Sequence, residues 1–318
     1  MSDASDGSDR PVNPRGANPT AKHTMHTART RFTLLDAILL ALILAAGAYF
    51  VYRIQIGLHY KWAWEKIPQF LFRYDADSDR WVANIIMVGL YNTLRLSVWG
   101  IVLASIFGTV MGICRSSKIL FFRLISGTYV ESMRNLPPLI IIFIFYFFIG
   151  DQVMPGLGLD HFIEARSQTF QDLTAFFFAR PSHIVAFCAA LLTLAIFEGA
   201  YITEIVRAGI QSIHRGQWEA AHALGLSWWQ QMRRVILPQA FQRIMPPLAG
   251  QFISLIKDSS IVSVISIQEL TFQGTELMTG TLLTMEIWIT ITALYLMLTL
   301  PCSLLVGRVE AAMSRGRV

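Results

Sequence analysis

Lys257 and Asp258 stand side by side inside an otherwise apolar run, QFISLIKDSSIVSVI. Charge at that depth in a bilayer is costly unless it faces protein or a water-filled cavity, so an intramembrane ion marks a functional site by default. An adjacent cation and anion can address the two ends of a zwitterion. They can equally neutralise each other and only fix a bend in the helix, and both readings stay open. Ser259 and Ser260 follow directly and offer hydroxyl donors, although serines in apolar helices commonly bond back to their own backbone. Glu198 lies inside a second apolar run, one and a half turns before Glu204. It either faces the same cavity or makes an interhelical hydrogen bond. Lys257, Asp258, Ser259 and Glu198 are the candidate ligand-binding residues.

Other chemistry is missing from the chain. No GxxxxGK[ST] phosphate loop occurs, nor any Gly-Lys pair, so nucleotide hydrolysis is not expected here. HExxH and GxSxG are absent too. The three cysteines, Cys114, Cys188 and Cys302, are scattered through apolar runs with neither disulfide nor metal-ligand spacing, and read as small packing residues. Neither catalytic residues nor a metal site is expected.

The elements that must position the candidates are membrane helices. Hydrophobic residues make up 54% of the chain and charged ones 15%, far from the average of soluble chains. A mean hydropathy of +0.49 and apolar residues gathered in long blocks give the class: an all-α polytopic membrane protein of about six transmembrane helices. Residues 1–32 are polar and read as a disordered cytoplasmic tail. Residues 33–54 hold the first span, Leu34 to Tyr52. Its Ala45-Ala46-Gly47-Ala48 stretch resembles a processing site, but the leading tail is long for a signal peptide, so a retained span is expected. Residues 55–91, with Trp62, Trp64 and Trp81, form an interfacial segment outside the membrane.

Further spans are expected at Leu96–Cys114, carrying the close-packing pattern Gly108-x-x-x-Gly112, and at Leu124–Ile149 with a kink or break at Pro137-Pro138. A loop at 151–180 follows, containing PGLG. Then come spans at Ser182–Arg207, from Pro246-Pro247 to Ile267, and at Ile287–Gly307. The loop leading to Glu286 carries neither Lys nor Arg. With the N-terminus inside, 16 of the 26 Lys and Arg fall on the cytoplasmic side and 7 on the other. That distribution places both termini, including the tail 309–318, in the cytoplasm. The net charge of +5 follows this topology, with no basic patch interleaved with aromatics to suggest nucleic acid.

Between two spans lies Gly216 to Pro238, GQWEAAHALGLSWWQQMRRVILP. A short helix is expected over Gln217–Leu224, ended by Gly225 in the left-handed conformation. Ser227 and Gln230 form a capping box that starts a second short helix, which Pro238 stops or reduces to a turn. Ala220, Ala221 and Ala223 leave the first helix so little bulk that another surface could approach its backbone. The pair is either a docking element or an amphipathic linker lying on the membrane. Glu219 either caps the first helix or reaches a partner's Arg. Trp228 and Trp229 read as interfacial anchors.

The order Glu219-Ala220-Ala221, three residues, Gly225, nine residues, Val235-x-Leu237-Pro238 resembles the EAA loop of ABC importer permeases, with Val235 where isoleucine is usual. The flanking AYITEIVRAGIQSIHRGQWEAA and LPQAFQRIMPPLAGQFISLIKDSSIVSVI resemble the polar amino-acid branch, and the likeness runs from Asn92 to Arg308. Glu131 and Arg134 fit its YVE-x-x-R-x-x-P pattern, though Asn135-Leu136 stand where Gly-Thr is commoner. The resemblance implies a permease domain over 92–308, a five-helix core preceded by one extra helix, with a coupling loop at 212–238. It implies that Gly216, Glu219, Ala220, Ala221, Gly225, Leu237 and Pro238 transmit force from an ABC ATPase subunit. ATP and Mg would be bound by that partner and no cofactor by this chain. A second permease subunit, a solute-binding protein and membrane lipid are the other implied partners, in a bacterial inner membrane. The substrate class would be polar amino acids: histidine, glutamate, glutamine or arginine. Glu204 and Arg207, three residues apart, would brace the coupling loop. The alternative is an ion- or proton-coupled secondary transporter; it would call for an inverted repeat, and none is evident.

Overall fold

The computed structural model describes residues 34–57, 60–76 and 79–315. The tail at 1–32 lies outside the described residues, as do the last three residues of the chain. Helix α1 (Leu34–Gly57) belongs to a unit of its own, and a second unit runs from Trp62 onward. The long apolar stretch predicted for the first span is helical throughout its described length.

The second unit opens on α2 (Ile67–Leu71) and a hairpin, β1 (Phe72–Asp75) and β2 (Arg80–Ala83), paired antiparallel with Phe72 opposite Ala83. This hairpin departs from the purely helical expectation. Phe72, Tyr74, Trp81 and Val82 supply the aromatic and β-branched types that favour strands. Then follow α3 (Ile85–Arg115), α4 (Leu120–Asn135), α5 (Pro138–Phe148), α6 (Met154–Leu157), α7 (Leu159–Glu164), α8 (Gln168–Phe177) and α9 (Ile184–Gln211). The chain continues with α10 (Arg215–Ala223), α11 (Trp228–Gln231), α12 (Leu237–Asp258), α13 (Leu270–Thr281) and α14 (Thr284–Arg315). Five segments are long and apolar enough to cross a membrane: Ile85–Arg115, Pro138–Leu157, Pro181–Gln211, Trp228–Ile265 and Thr284–Arg308.

α9 is the most enclosed of these segments and α14 the least. α3 and α9 run parallel in intimate contact, and the reason is small residues. A methyl group placed on Gly108 would come within 2.7 Å of Ile202 and 2.8 Å of the Gly199 carbonyl; on Gly112 it would meet Val206 at 2.7 Å. The Gly-x-x-x-Gly pattern read from the sequence is therefore the seam between the two helices. Leu191, Leu194, Ile202 and Val206 fill the buried side of α9 above and below that seam.

Proline placement redraws the expected spans. The third span is two helices, because Leu136 and Pro137 are extended (ψ 149° and 130°) and the residue before proline disfavours the helical region. Pro238 does not stop its helix. A π turn at Met232–Ile236 absorbs the missing N–H, so Trp228 to Ile265 is one rod carrying Pro246-Pro247 in its interior. At Asp258 the rod tightens into a 3-10 stretch, Ser259–Ile265. The interval read as a loop before Glu286 contains α13. Glu269 caps it, accepting from Phe272 N at 2.7 Å and from the hydroxyls of Tyr295 on α14 (2.8 Å) and Thr93 on α3 (3.3 Å).

Candidate functional site

The interval between α9 and α12 folds much as its local sequence directs. α10 begins at Arg215, two residues earlier than expected, and its C-terminus closes by a Schellman arrangement. Gly225 takes φ +71°, its N–H reaches His222 O at 2.9 Å, and Leu226 N reaches Ala221 O at 3.3 Å. Ser227 and Gln230 make both bonds of the capping box. The earlier start moves Glu219 away from the helix N-terminus, so it does not cap. It pairs instead with Arg215 at 2.9 Å, an exposed ion pair that contributes little to stability.

One face of α10 is committed to the chain. Ala221 is buried and Trp218 packs on a cluster containing Ile213, Met232 and Ile236, where Trp228 also lies. The opposite face is open, with Gly216, Glu219 and Ala220 exposed; beyond the helix Gly225 and Pro238 are exposed and Leu237 is half-buried. Leu224, at the tip, is 78% exposed, a large apolar side chain with nothing covering it. The sequence reading passed over Leu224, whose exposure depends on the direction in which the Schellman turn throws it.

Behind the loop, charges bridge three helices. Arg115 at the end of α3 reaches Glu131 on α4 (3.2 Å) and Glu204 on α9 (3.6 Å), and Glu204 pairs in turn with Arg207 as its spacing predicts. Arg115 was not singled out from the sequence, because its partners are distant in the chain. Arg134 lies over the Tyr201 ring at 5.7 Å, while Glu131 turns to Arg115.

The acidic candidates meet halfway along α9. Glu198 is fully buried and accepts a hydrogen bond from Gln251 Nε2 on α12 at 2.5 Å. Asp258, seven residues beyond Gln251 on the same helix face, is near enough for the two carboxyls to act on each other. Glu198 Oε1 has no donor among the described residues. Two carboxylates have no hydrogen bond to share, so this pair calls for a proton or a cation between its members. Gln251 was missed from the sequence; its signal was an amide in a span at i, i+7 from an intramembrane carboxylate.

Lys257 is exposed and forms no ion pair with Asp258 within 4.0 Å among the described residues, although its charge is felt there. Ser259 is buried and its hydroxyl donates to Ile256 O at 2.8 Å. The structure thus brings Glu198 and Asp258 together and points Lys257 away from Glu198's enclosed surroundings. Below the acid pair, towards α10, lies a cavity of about 690 Å³ lined by Gln251, Tyr201, Pro246 and Pro247 and by the cations Arg134 and Arg243. Glu204 lines it too, paired with Arg207, and Gln251 joins its wall to Glu198, so guanidinium groups and carboxyls both stand in or beside it.

Residues 100–315 match the family described as binding-protein-dependent transport system inner membrane component. The chain is 32% identical over 232 residues to the probable glutamine ABC transporter permease protein GlnM of Bacillus subtilis (strain 168), covering 73% of this chain and 94% of that one. It is 34% identical over 229 residues to the glutamine transport system permease protein GlnP of Escherichia coli (strain K12), covering 72% and 93%. Among solved structures, an amino acid ABC transporter crystallised with histidines superposes with a TM-score of 0.55 at 32% identity, over 72% of this chain and 94% of that chain.

Proposed function

The chain belongs to the family of binding-protein-dependent transport system inner membrane components and is a multi-pass permease of an ABC importer, and we propose that it carries a polar amino acid past the Glu198–Asp258 pair when a partner ATPase moves α10. The observation that carries this reading is the rod from Trp228 to Ile265. One continuous helical segment has the exposed loop of α10 and α11 at one end and Gln251 and Asp258 further along. A push on α10 reaches the rod across the turn at Gly225 and through Trp218, which packs against Met232 and Ile236 near the rod's start.

In this reading the substrate's ammonium is the cation that the acid pair calls for. Glu198 Oε1 gains the donor it otherwise lacks, and Arg134 and Arg243 offer the carboxylate a guanidinium partner as it enters the cavity below. Lys257 and Ser259 are secondary: Lys257 contributes field and Ser259 holds the turn at the end of α12. The open face of α10, comprising Gly216, Glu219, Ala220, Gly225 and Leu224, seats in the ATPase, with Leu237 and Pro238 relaying the movement into α12. ATP and Mg reside on that partner, and this chain performs no hydrolysis. A second permease subunit completes the pathway, and a solute-binding protein delivers substrate to the face opposite α10. The charge distribution puts α10 and both termini in the cytoplasm. A secondary transporter is not favoured, since the relatives are ABC permease subunits.

Glu198→Gln and Asp258→Asn test the site. Each keeps a hydrogen-bonding group and removes a negative charge, so uptake in the assembled transporter should fall about tenfold or more, the scale of one lost charge-assisted bond. Assembly and nucleotide binding by the partner should persist. Wild-type uptake in both variants would remove the acid pair from the pathway.

A further inference from the structure

At the end of the bundle opposite α10 lies a second cavity, of about 780 Å³. Arg73 from β1, Arg95 from α3, and Arg180 and His183 from the entry to α9 all line it, and no Asp or Glu does. None of these residues takes part in a salt bridge among the described residues. Collecting this much positive charge in a concave wall with no acid to offset it is unfavourable unless an anion occupies the space.

Arg95 is held ready for one. Its guanidinium stacks on the Tyr91 ring at 3.9 Å and donates through Nη1 to Ala175 O (2.9 Å) and Phe178 O (2.6 Å) at the end of α8. Its Nε is buried and has no hydrogen-bond partner among the described residues. Arg180 is close enough for the two cations to repel each other.

The surroundings indicate which anion. The cavity opens at the first turns of one span, Ile85 to Arg95, and at the start of another, Pro181 to His183, which is headgroup depth. Exposed aromatics mark the same depth: Tyr74 and Trp81 pack edge to face on the hairpin that carries Arg73. Phe176 lines the cavity and is itself exposed, as are Leu173 and Phe177 beside it on α8 and Val88 on α3. Cations at headgroup depth bordered by exposed apolar side chains complement a molecule with an anionic head and hydrocarbon tails.

We propose that this cavity binds the phosphate headgroup of an anionic phospholipid, with its acyl chains lying along the exposed apolar sides of α8 and α3. Arg95 supplies the fixed contact, and Arg73 and Arg180 close over the phosphate from the rim.

The test is lipid retention by the purified full-length chain, measured by native mass spectrometry in detergent supplemented with phosphatidylglycerol or phosphatidylcholine. The wild type should retain phosphatidylglycerol at least about tenfold over phosphatidylcholine, and the double variant R73Q/R180Q should lose that preference. These two residues sit on the rim and hold no helix in place, so the result does not depend on whether R95Q folds. Equal retention of the two lipids by the wild type would overturn the proposal. So would a phosphatidylglycerol preference that survives in R73Q/R180Q. Displacement of the lipid by millimolar inorganic phosphate would make this a free-anion site. If R73Q/R180Q retained lipid normally but lost binding of a solute-binding protein, the cavity would receive an acidic protein surface and the lipid assignment would be wrong.

Discussion

Glu198 and Glu269 are both fully buried carboxylates, and their surroundings give them different work. Glu198 meets one amide and another acid, so its environment is incomplete without a proton or a cation. Glu269 meets a backbone N–H and two hydroxyls, so its environment is complete and structural: it ties α3, α13 and α14 together. Burial pushes the Glu269 carboxyl up from the ordinary 4.5 to about 7, outweighing the bonds that favour its charged form. Folding then favours the protonated form. The stabilising share of that preference is complete below about pH 4.5 and disappears as pH rises through 7. The purified protein should therefore lose thermal stability between pH 5 and pH 8, and Glu269→Gln should flatten that slope. An unchanged slope in the variant would show that Glu269 does not titrate there. The chain itself announced Glu198 and Asp258, because a charge in an apolar run is conspicuous. It did not announce Gln251 or Glu269, whose roles arise from partners 53 and 176 residues away.

Helices were legible where the determinant was local. Gly225 and the capping box at Ser227 act within a few residues, and the Gly108-x-x-x-Gly112 pattern is itself local although its partner helix is not; each is found where it was expected. Elements decided by tertiary contact were not. α13 is short and only moderately apolar, and it is fixed by Glu269 and by packing on Ile287 and Ile291. The fate of Pro238 hung on whether a π turn could form ahead of it. Two predictions belong to this scale. Gly225→Val would force a β-branched residue into the left-handed region at a cost of about 1–2 kcal/mol, although nothing lies within 4 Å of the site. Strain without clash should disturb the tip of α10 alone. The variant should insert normally yet hydrolyse ATP without transporting, and normal coupling would argue against the docking role. Gly108→Ala should lower stability by about 1–3 kcal/mol, since its new methyl meets the Gly199 carbonyl, whereas Gly127→Ala, with open space around it, should not destabilise. Thermal unfolding of both in detergent decides between them.

At the scale of the whole molecule, three features lie in series. α10 presents an open face, a long helical rod begins beside it, and Asp258 on that rod stands near Glu198, which lies in the middle of the most enclosed span and has an oxygen with no donor among the described residues. No GxxxxGK[ST] phosphate loop occurs in the sequence, in keeping with the proposal that a partner ATPase drives the movement. Reconstitution is the most direct test of that arrangement. Proteoliposomes should contain this chain with its second permease subunit where one is required, its ATPase and its solute-binding protein. They should accumulate a labelled polar amino acid only with ATP, and uptake should vanish when the ATPase subunit is omitted. Uptake by this chain alone, without ATP, would contradict the account.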